Sequence, residues 1–214
     1  MSGPVLLLDG AAWPAAVGLL GENFPFTLRR CRSGATVGAL FAEVEALLAS
    51  AGLIFADVSA FLLCRGPGQA MGLRLCRMLV DCANAIGPER PVLAYDCLEL
   101  GERVLLDRCL GDFTVAVAVT GRSMALRDSQ MPDRPVRFVP LAPAAAGGPI
   151  FFLPSPVPTP AGGIPFSPGP EEIFPFFANK LRQGPEDGDT SLLLPPPQFS
   201  KGSGLENFPQ RKRP

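Results

Sequence analysis

The chain has 214 residues, enough for one sizeable domain or two small ones, and its 19 basic and 20 acidic residues leave a net charge of −1. That balance creates no overall field favouring nucleic acid or a membrane surface. Histidine is absent, which excludes Ser-His-Asp and Cys-His catalysis and every histidine-containing metal site.

Val5 to Leu8 reads as a buried strand, Trp13-Pro14 as a turn, Ala16 to Leu20 as a second strand and Thr27 to Cys31 as a third. Met1 to Leu8 carries no basic residue and Asp9 interrupts its apolar run, so no secretory leader is expected. No apolar run reaches the length of a membrane span, and the expected location is the cytoplasm. From Gly34 onward Val37, Leu40, Phe41, Val44, Leu47 and Leu48 form one apolar stripe at helical spacing, closed by Gly52 at a C′ position. Ser59 to Cys64 reads as a strand feeding a glycine turn.

The next predicted helix, Leu73 to Ile86, has an apolar face wider than a surface helix needs. Its only polar stripe is Arg74, Arg77, Asp81 and Asn84. Such a helix is either sandwiched in the fold or packs a second face on a partner. Gly87-Pro88 ends it. Val92 to Tyr95 reads as a strand, Leu98 to Cys109 as a helix, and Phe113 to Val119 with Met124 to Arg127 as a hairpin around Gly121-Arg122. Strands alternating with helices argue an α/β fold.

From Met131 the composition changes. Residues 131–214 hold 19 of the 25 prolines, which oppose long regular elements, and nine phenylalanines, which oppose disorder. The reading is an irregular, partly packed second half. It has one helix within Glu171 to Leu181, broken or begun at Pro175, a strand at Leu192-Leu193-Leu194 and a frayed tip from Gln210. No internal repeat is visible. The six cysteines, Cys31, Cys64, Cys76, Cys82, Cys97 and Cys109, lie mostly in apolar periodic segments without a C-x-x-C pair, so they read as buried free thiols.

The segment Cys64 to Arg74, C-R-G-P-G-Q-A-M-G-L-R, carries the most information. A strand, a glycine turn and a helix aim backbone N–H groups at whatever lies above the sheet edge. The spacing is wrong for a Walker A loop, which needs G-x-x-x-x-G-K-[S/T]. G-P-G-Q-A-M-G-L-R resembles the G-P-G-S-x-T-G-L-R signature of the bacterial TsaB family, also called YeaZ. The likeness extends in register through Val5-Leu6-Leu7-Leu8-Asp9, Ala16 to Leu20, Leu53 to Val58 and Thr120-Gly121-Arg122, and thins beyond about residue 127.

The resemblance implies an RNase H-like α/β fold of the actin/sugar-kinase/Hsp70 superfamily. An N-terminal domain would span residues 1–110 and a truncated, proline-rich one residues 111–214. It implies a non-catalytic subunit that binds and activates the catalytic threonylcarbamoyl transferase subunit (TsaD-like) in making threonylcarbamoyladenosine on tRNA. An ATPase co-subunit (TsaE-like) would join them. It implies a homodimer when the partner is missing, only indirect contact with tRNA and no membrane. It leaves room for ATP or ADP at a subunit interface. The "glycoprotease" label attached to the wider family has no basis in a chain without histidine.

Docking through the first two helices points to Leu40, Val44 and Leu47 on one and Leu75, Met78, Leu79 and Cys82 on the other. Gly66, Gly68, Gly72 and Asp9 form a weak phosphate-loop-like set. Their bland reading is a close-packed connection, with Asp9 capping a turn. Gly10-Ala11 replace the family's Thr-Ser after Asp9, Gln69 and Met71 replace small hydroxyl residues, and Thr120 replaces a carboxylate, so nucleotide chemistry loses its ligands. Arg74 reads as a partner of Asp81 or of another local carboxylate, Arg122 as a turn residue and Arg211-Lys212-Arg213 as a solvated tail. Two other readings stay open: a nucleotide-dependent kinase or ATPase of the same fold, and a diverged protein-interaction scaffold.

Overall fold

The computed structural model describes residues 3–21, 24–31, 37–108, 111–130, 135–141 and 148–184. Its first sheet is built from β1 (Val5–Asp9), β2 (Ala16–Gly21), β3 (Phe24–Arg30), β4 (Ala60–Cys64) and β5 (Val92–Tyr95), in the order β3-β2-β1-β4-β5. Only β2 runs against the rest, pairing antiparallel with β1 and β3, while β1, β4 and β5 are parallel. Both faces of β4 are covered, which is why its sequence Ala-Phe-Leu-Leu-Cys is apolar without alternation.

Helices α1 (Val37–Ser50) and α2 (Ala70–Ile86) cover one face of this sheet. There Leu6, Leu8, Phe61 and Leu63 meet Leu40, Val44, Leu47, Cys76, Leu79 and Val80 in one core. Gly52, at φ +69°, supplies the left-handed turn that stops α1. Arg90 is buried beneath α2, with its guanidinium over the Phe55 and Phe61 rings and donating to the Ala83 carbonyl.

The second sheet comprises β6 (Thr114–Thr120), β7 (Ser123–Asp128), β8 (Arg137–Pro140), β9 (Ile150–Phe152) and β10 (Ile164–Pro165), in the order β10-β9-β6-β7-β8. With β6 in the place of β1, this is the first sheet's order again, and only β7 is antiparallel to its neighbours. The chain therefore contains a topological repeat that its sequence conceals. The connection holding α1 in the first half is reduced to residues 141–149 in the second, and residues 153–163, in the place of α2, form no helix.

The third helix of each half is kept. α3 (Cys97–Arg108) follows β5 and α4 (Pro170–Gln183) follows β10. The two pack on each other, and each crosses over, α3 against β6 and β7 and α4 against β3. One core consequently runs through both halves, joining Leu7, Leu62 and Tyr95 to Val104, Val115 and Phe177. Tyr95, Phe176, Phe177 and Phe26 form its aromatic centre in edge-on contacts. Ion pairs Arg108–Glu172 and Lys180–Glu99 link the two helices.

The expected second-half helix is longer than Glu171 to Leu181 and passes through Pro175 instead of breaking there. Pro170 at the first helical position and a Glu172 carboxylate accepting the Gly169 N–H start it well. An interior proline costs about 3 kcal/mol. The adjoining Phe176 and Phe177 offset it, since burying a large apolar side chain is worth about 1.5–3 kcal/mol each. The expected strand at Leu192 to Leu194 and the tip from Gln210 lie outside the described residues, as does Cys109.

Phe177→Ala should cost about 3–5 kcal/mol, because Phe177 is fully buried where the two halves meet. Chemical denaturation should lose this amount in one transition common to both halves; a near-neutral variant would show that α4 does not seal the core.

Candidate functional site

The glycine turn follows β4 and crosses the C-terminal ends of the parallel strands, where α/β folds place ligands. Gly66, at φ +106°, bends the chain so that its carbonyl accepts the Cys97 N–H at 3.0 Å. The turn after β1 fills the space above. Asp9 ends β1, and its Oδ1 accepts the Ala11 and Ala12 N–H groups at 2.9 and 3.1 Å. The capped loop lies directly on the start of α2, and the Gln69 N–H reaches the Ala11 carbonyl at 3.4 Å.

This contact explains the glycines. A Cβ on Gly72 would sit 2.3 Å from the Gly10 carbonyl oxygen, one on Gly10 would sit 2.2 Å from the Gly72 backbone, and one on Gly68 would sit 2.6 Å from Ala11. Gly68 and Gly72, with Gly10 and the capped turn at Asp9, therefore form a packed backbone junction. Gly10, where the resembled family has Thr, belongs to the same junction.

Below it lies a cavity of about 60 Å³ between the sheets, lined by Leu7, Asp9, Tyr95, Val117 and Phe177 among others. Ligand pockets run to about 300–1,000 Å³, so this cavity is smaller than a ligand pocket. Burial pushes the Tyr95 phenol well up, with Asp9 adding to it, and the hydroxyl stays protonated. Burial also raises the Cys64 and Cys97 thiols, and the Cys97 Sγ–H donates to the Pro67 carbonyl at 2.8 Å. Such thiols are poor nucleophiles. The five described cysteines are free, and only Cys82 is exposed. Among the described residues no three His, Cys, Asp or Glu side chains gather as metal ligands would.

A second locus lies on the helix pair. Leu40, Val44, Leu47 and Leu79, expected on a docking surface, are at most 3 % exposed because they hold α1 and α2 to the sheet. Leu75 is partly buried against the same core, whereas Met78 and Cys82 do face solvent. Between the helices runs an apolar groove of about 490 Å³, with Val44 and Leu79 among its lining and Phe41, Ile54 and Ile86 around it. Ile86 is 90 % exposed and Phe41 40 %. Phe41 was legible in the helical stripe, but its orientation was not.

Arg77, not Arg74, pairs with Asp81, at 2.8 Å. Arg122 is a hairpin-turn residue, its N–H donating to Thr120 Oγ1 at 3.2 Å. Asp96 was missed, although an Asp directly before an apolar helical run is a start signal. Its Oδ1 accepts the Leu98 N–H at 2.7 Å and the Glu99 N–H at 3.4 Å, capping α3 from a buried position.

Two tandem sheets of RNase H-like order, each followed by a helix packed on the other, define the actin/sugar-kinase class of fold. Within it the chain has the fold of YeaZ. It superposes on YeaZ from Pseudomonas aeruginosa with a TM-score of 0.60 at 22 % identity, over 90 % of this chain and 99 % of that one. A second structure, an uncharacterized Pseudomonas aeruginosa protein with similarity to peptidase YeaZ, gives 0.59 at 22 % identity, over 86 % and 94 %. No protein-family model and no curated protein matches the chain. No helix among the described residues is long and apolar enough to cross a membrane.

Burial raises the Asp96 carboxyl above 3.8, against the capping N–H groups and the Arg127 and Arg65 cations. A raised carboxyl stabilises the fold below its unfolded value and loses that contribution as pH rises through its folded value. Asp96→Asn keeps the cap without the charge. Its melting temperature should therefore gain on that of the parent as pH rises from below 3.8; parallel pH profiles would refute this.

Proposed function

We propose that this chain is a cytoplasmic, non-catalytic, TsaB-like subunit. It binds and activates the catalytic threonylcarbamoyl transferase subunit of tRNA threonylcarbamoyladenosine synthesis and touches tRNA only through that complex. The observation that carries this reading is the apolar groove between α1 and α2, rimmed by the exposed Phe41, Ile54 and Ile86. Large apolar side chains left in water around one groove mark an association surface, and burying each returns about 1.5–3 kcal/mol. A helix pair from the catalytic subunit would lie across it. The same groove would hold a second copy of this chain when the partner is missing, as a two-fold dimer. The ATPase co-subunit would join the assembled pair.

The absence of enzymatic activity belongs to the same reading. Asp9 is engaged in capping, the glycine turn is filled by the chain itself, and the cavity beneath is smaller than a ligand pocket.

The purified chain and the catalytic subunit of the same organism should form a stoichiometric complex by light scattering. Ile86→Asp should weaken it at least tenfold and convert the lone chain to monomer, with the circular dichroism spectrum unchanged. A chain that ignores the catalytic subunit would overturn the assignment. Magnesium-dependent ATP hydrolysis should be absent; hydrolysis abolished by Asp9→Asn would instead establish a kinase-like site.

A further inference from the structure

The groove between α1 and α2 is acidic as well as apolar. Among the described residues Glu45 is the charged side chain in its lining. Asp57 stands beside the rim, its Oδ2 accepting the Ile54 N–H at 2.8 Å. From Val37 to Cys64 the sequence has three carboxylates, Glu43, Glu45 and Asp57, and no cation. The nearby cations on the α2 side are engaged. Arg90 is buried behind the Phe55 ring and donates to the Ala83 carbonyl, and Arg77 is paired with Asp81. The groove therefore fits a segment that sets large apolar side chains next to cations.

The chain carries such a segment beyond α4, in residues 185–214, outside the described residues. Two apolar stretches occur there. Leu192 to Phe199 is flanked by Glu186, Asp187 and Asp189 on one side and Lys201 on the other, a net charge of −2 that opposes approach to a carboxylate rim. Leu205 and Phe208, three residues apart, are followed by Arg211, Lys212 and Arg213; with Glu206 the segment has a net charge of +2. Like charges repel and unlike ones attract, so the second stretch is the match. Reach does not limit it. Leu205 stands 21 positions beyond Gly184, where α4 stops, and that length spans up to about 70 Å. A compact chain of this size has a radius of gyration of about 17 Å, which puts every face within range.

We infer that the segment from Leu205 to Arg213 of the same chain docks in the groove between α1 and α2. Leu205 and Phe208 enter among Phe41, Ile54 and Ile86, and the three cations lie against Glu45 and Asp57. Because the segment belongs to the chain that carries the groove, it binds at an effective concentration set by the connecting residues. The inference rests on the reading of this groove as an association surface and adds a competitor to it. The catalytic subunit or a second copy enters only by displacing the segment, so its apparent affinity falls in proportion to the fraction of chains whose groove is open.

Cys82 reports on the groove directly, since it lines the groove and is the exposed one among the described cysteines. The test is the rate of iodoacetamide alkylation at Cys82, read by peptide mass mapping on the full chain at concentrations where light scattering shows monomer. Phe208→Asp should accelerate alkylation at least fivefold. The triple charge reversal Arg211→Glu, Lys212→Glu and Arg213→Glu should do the same. Equal rates in the parent and both variants would overturn the assignment. So would protection of Cys82 that appears only as the chain dimerises, which marks a second copy as the occupant. The readout needs no catalytic subunit, so it stands or falls separately from the partner assignment.

Discussion

The exchange of α3 and α4 between the two sheets is the constraint on which the molecule rests. Each half ends in a helix that packs on the other half's sheet, so neither inner face is closed until both helices are in place. The aromatic group of Tyr95, Phe26, Phe176 and Phe177 sits where they cross, and its edge-on contacts add to what burial alone supplies. Because the inner layer is filled, the space between the sheets shrinks to a small apolar cavity. Gly10 stands where the resembled family has Thr, and its backbone packs directly on Gly72.

The first half was largely legible. Strand periodicity, the α1 stripe, Gly52 and the Gly87 stop all appear near where the residues place them, because apolar spacing and glycine positions directly report secondary structure. What the sequence could not say is which side of an apolar helix faces inward. Leu73, Cys76, Leu79 and Val80 press α2 onto the sheet, while Met71, Met78, Cys82 and Ile86 face away. Both sets are apolar, so the wide face looked uniform, and Leu40, Val44 and Leu47 were misread as surface for the same reason.

The second half hid its repeat. β9 has three residues and β10 two, too few for alternation to register, and β8 and β10 include Pro140 and Pro165, a residue type that argues against pairing. Both lie at strand ends, where a missing N–H donor is tolerated. Shortening of the connections that carry α1 and α2 in the first half removed the helical pattern that would have revealed the duplication. The ion pair of Arg127 with Glu102 was illegible for another reason. The two are far apart in sequence, and only the crossing of α3 brings them together.

The crossed helices also set the order in which a nascent chain becomes stable. Tyr95 leaves the ribosome long before its packing partner Phe177, and at about 5–20 residues per second the delay is on the order of ten seconds. During that interval the inner face of the first sheet is complete in hydrogen bonding but bare of its apolar cover. Until the last helix arrives, synthesis therefore passes through a stage at which apolar surface that the finished fold covers is exposed.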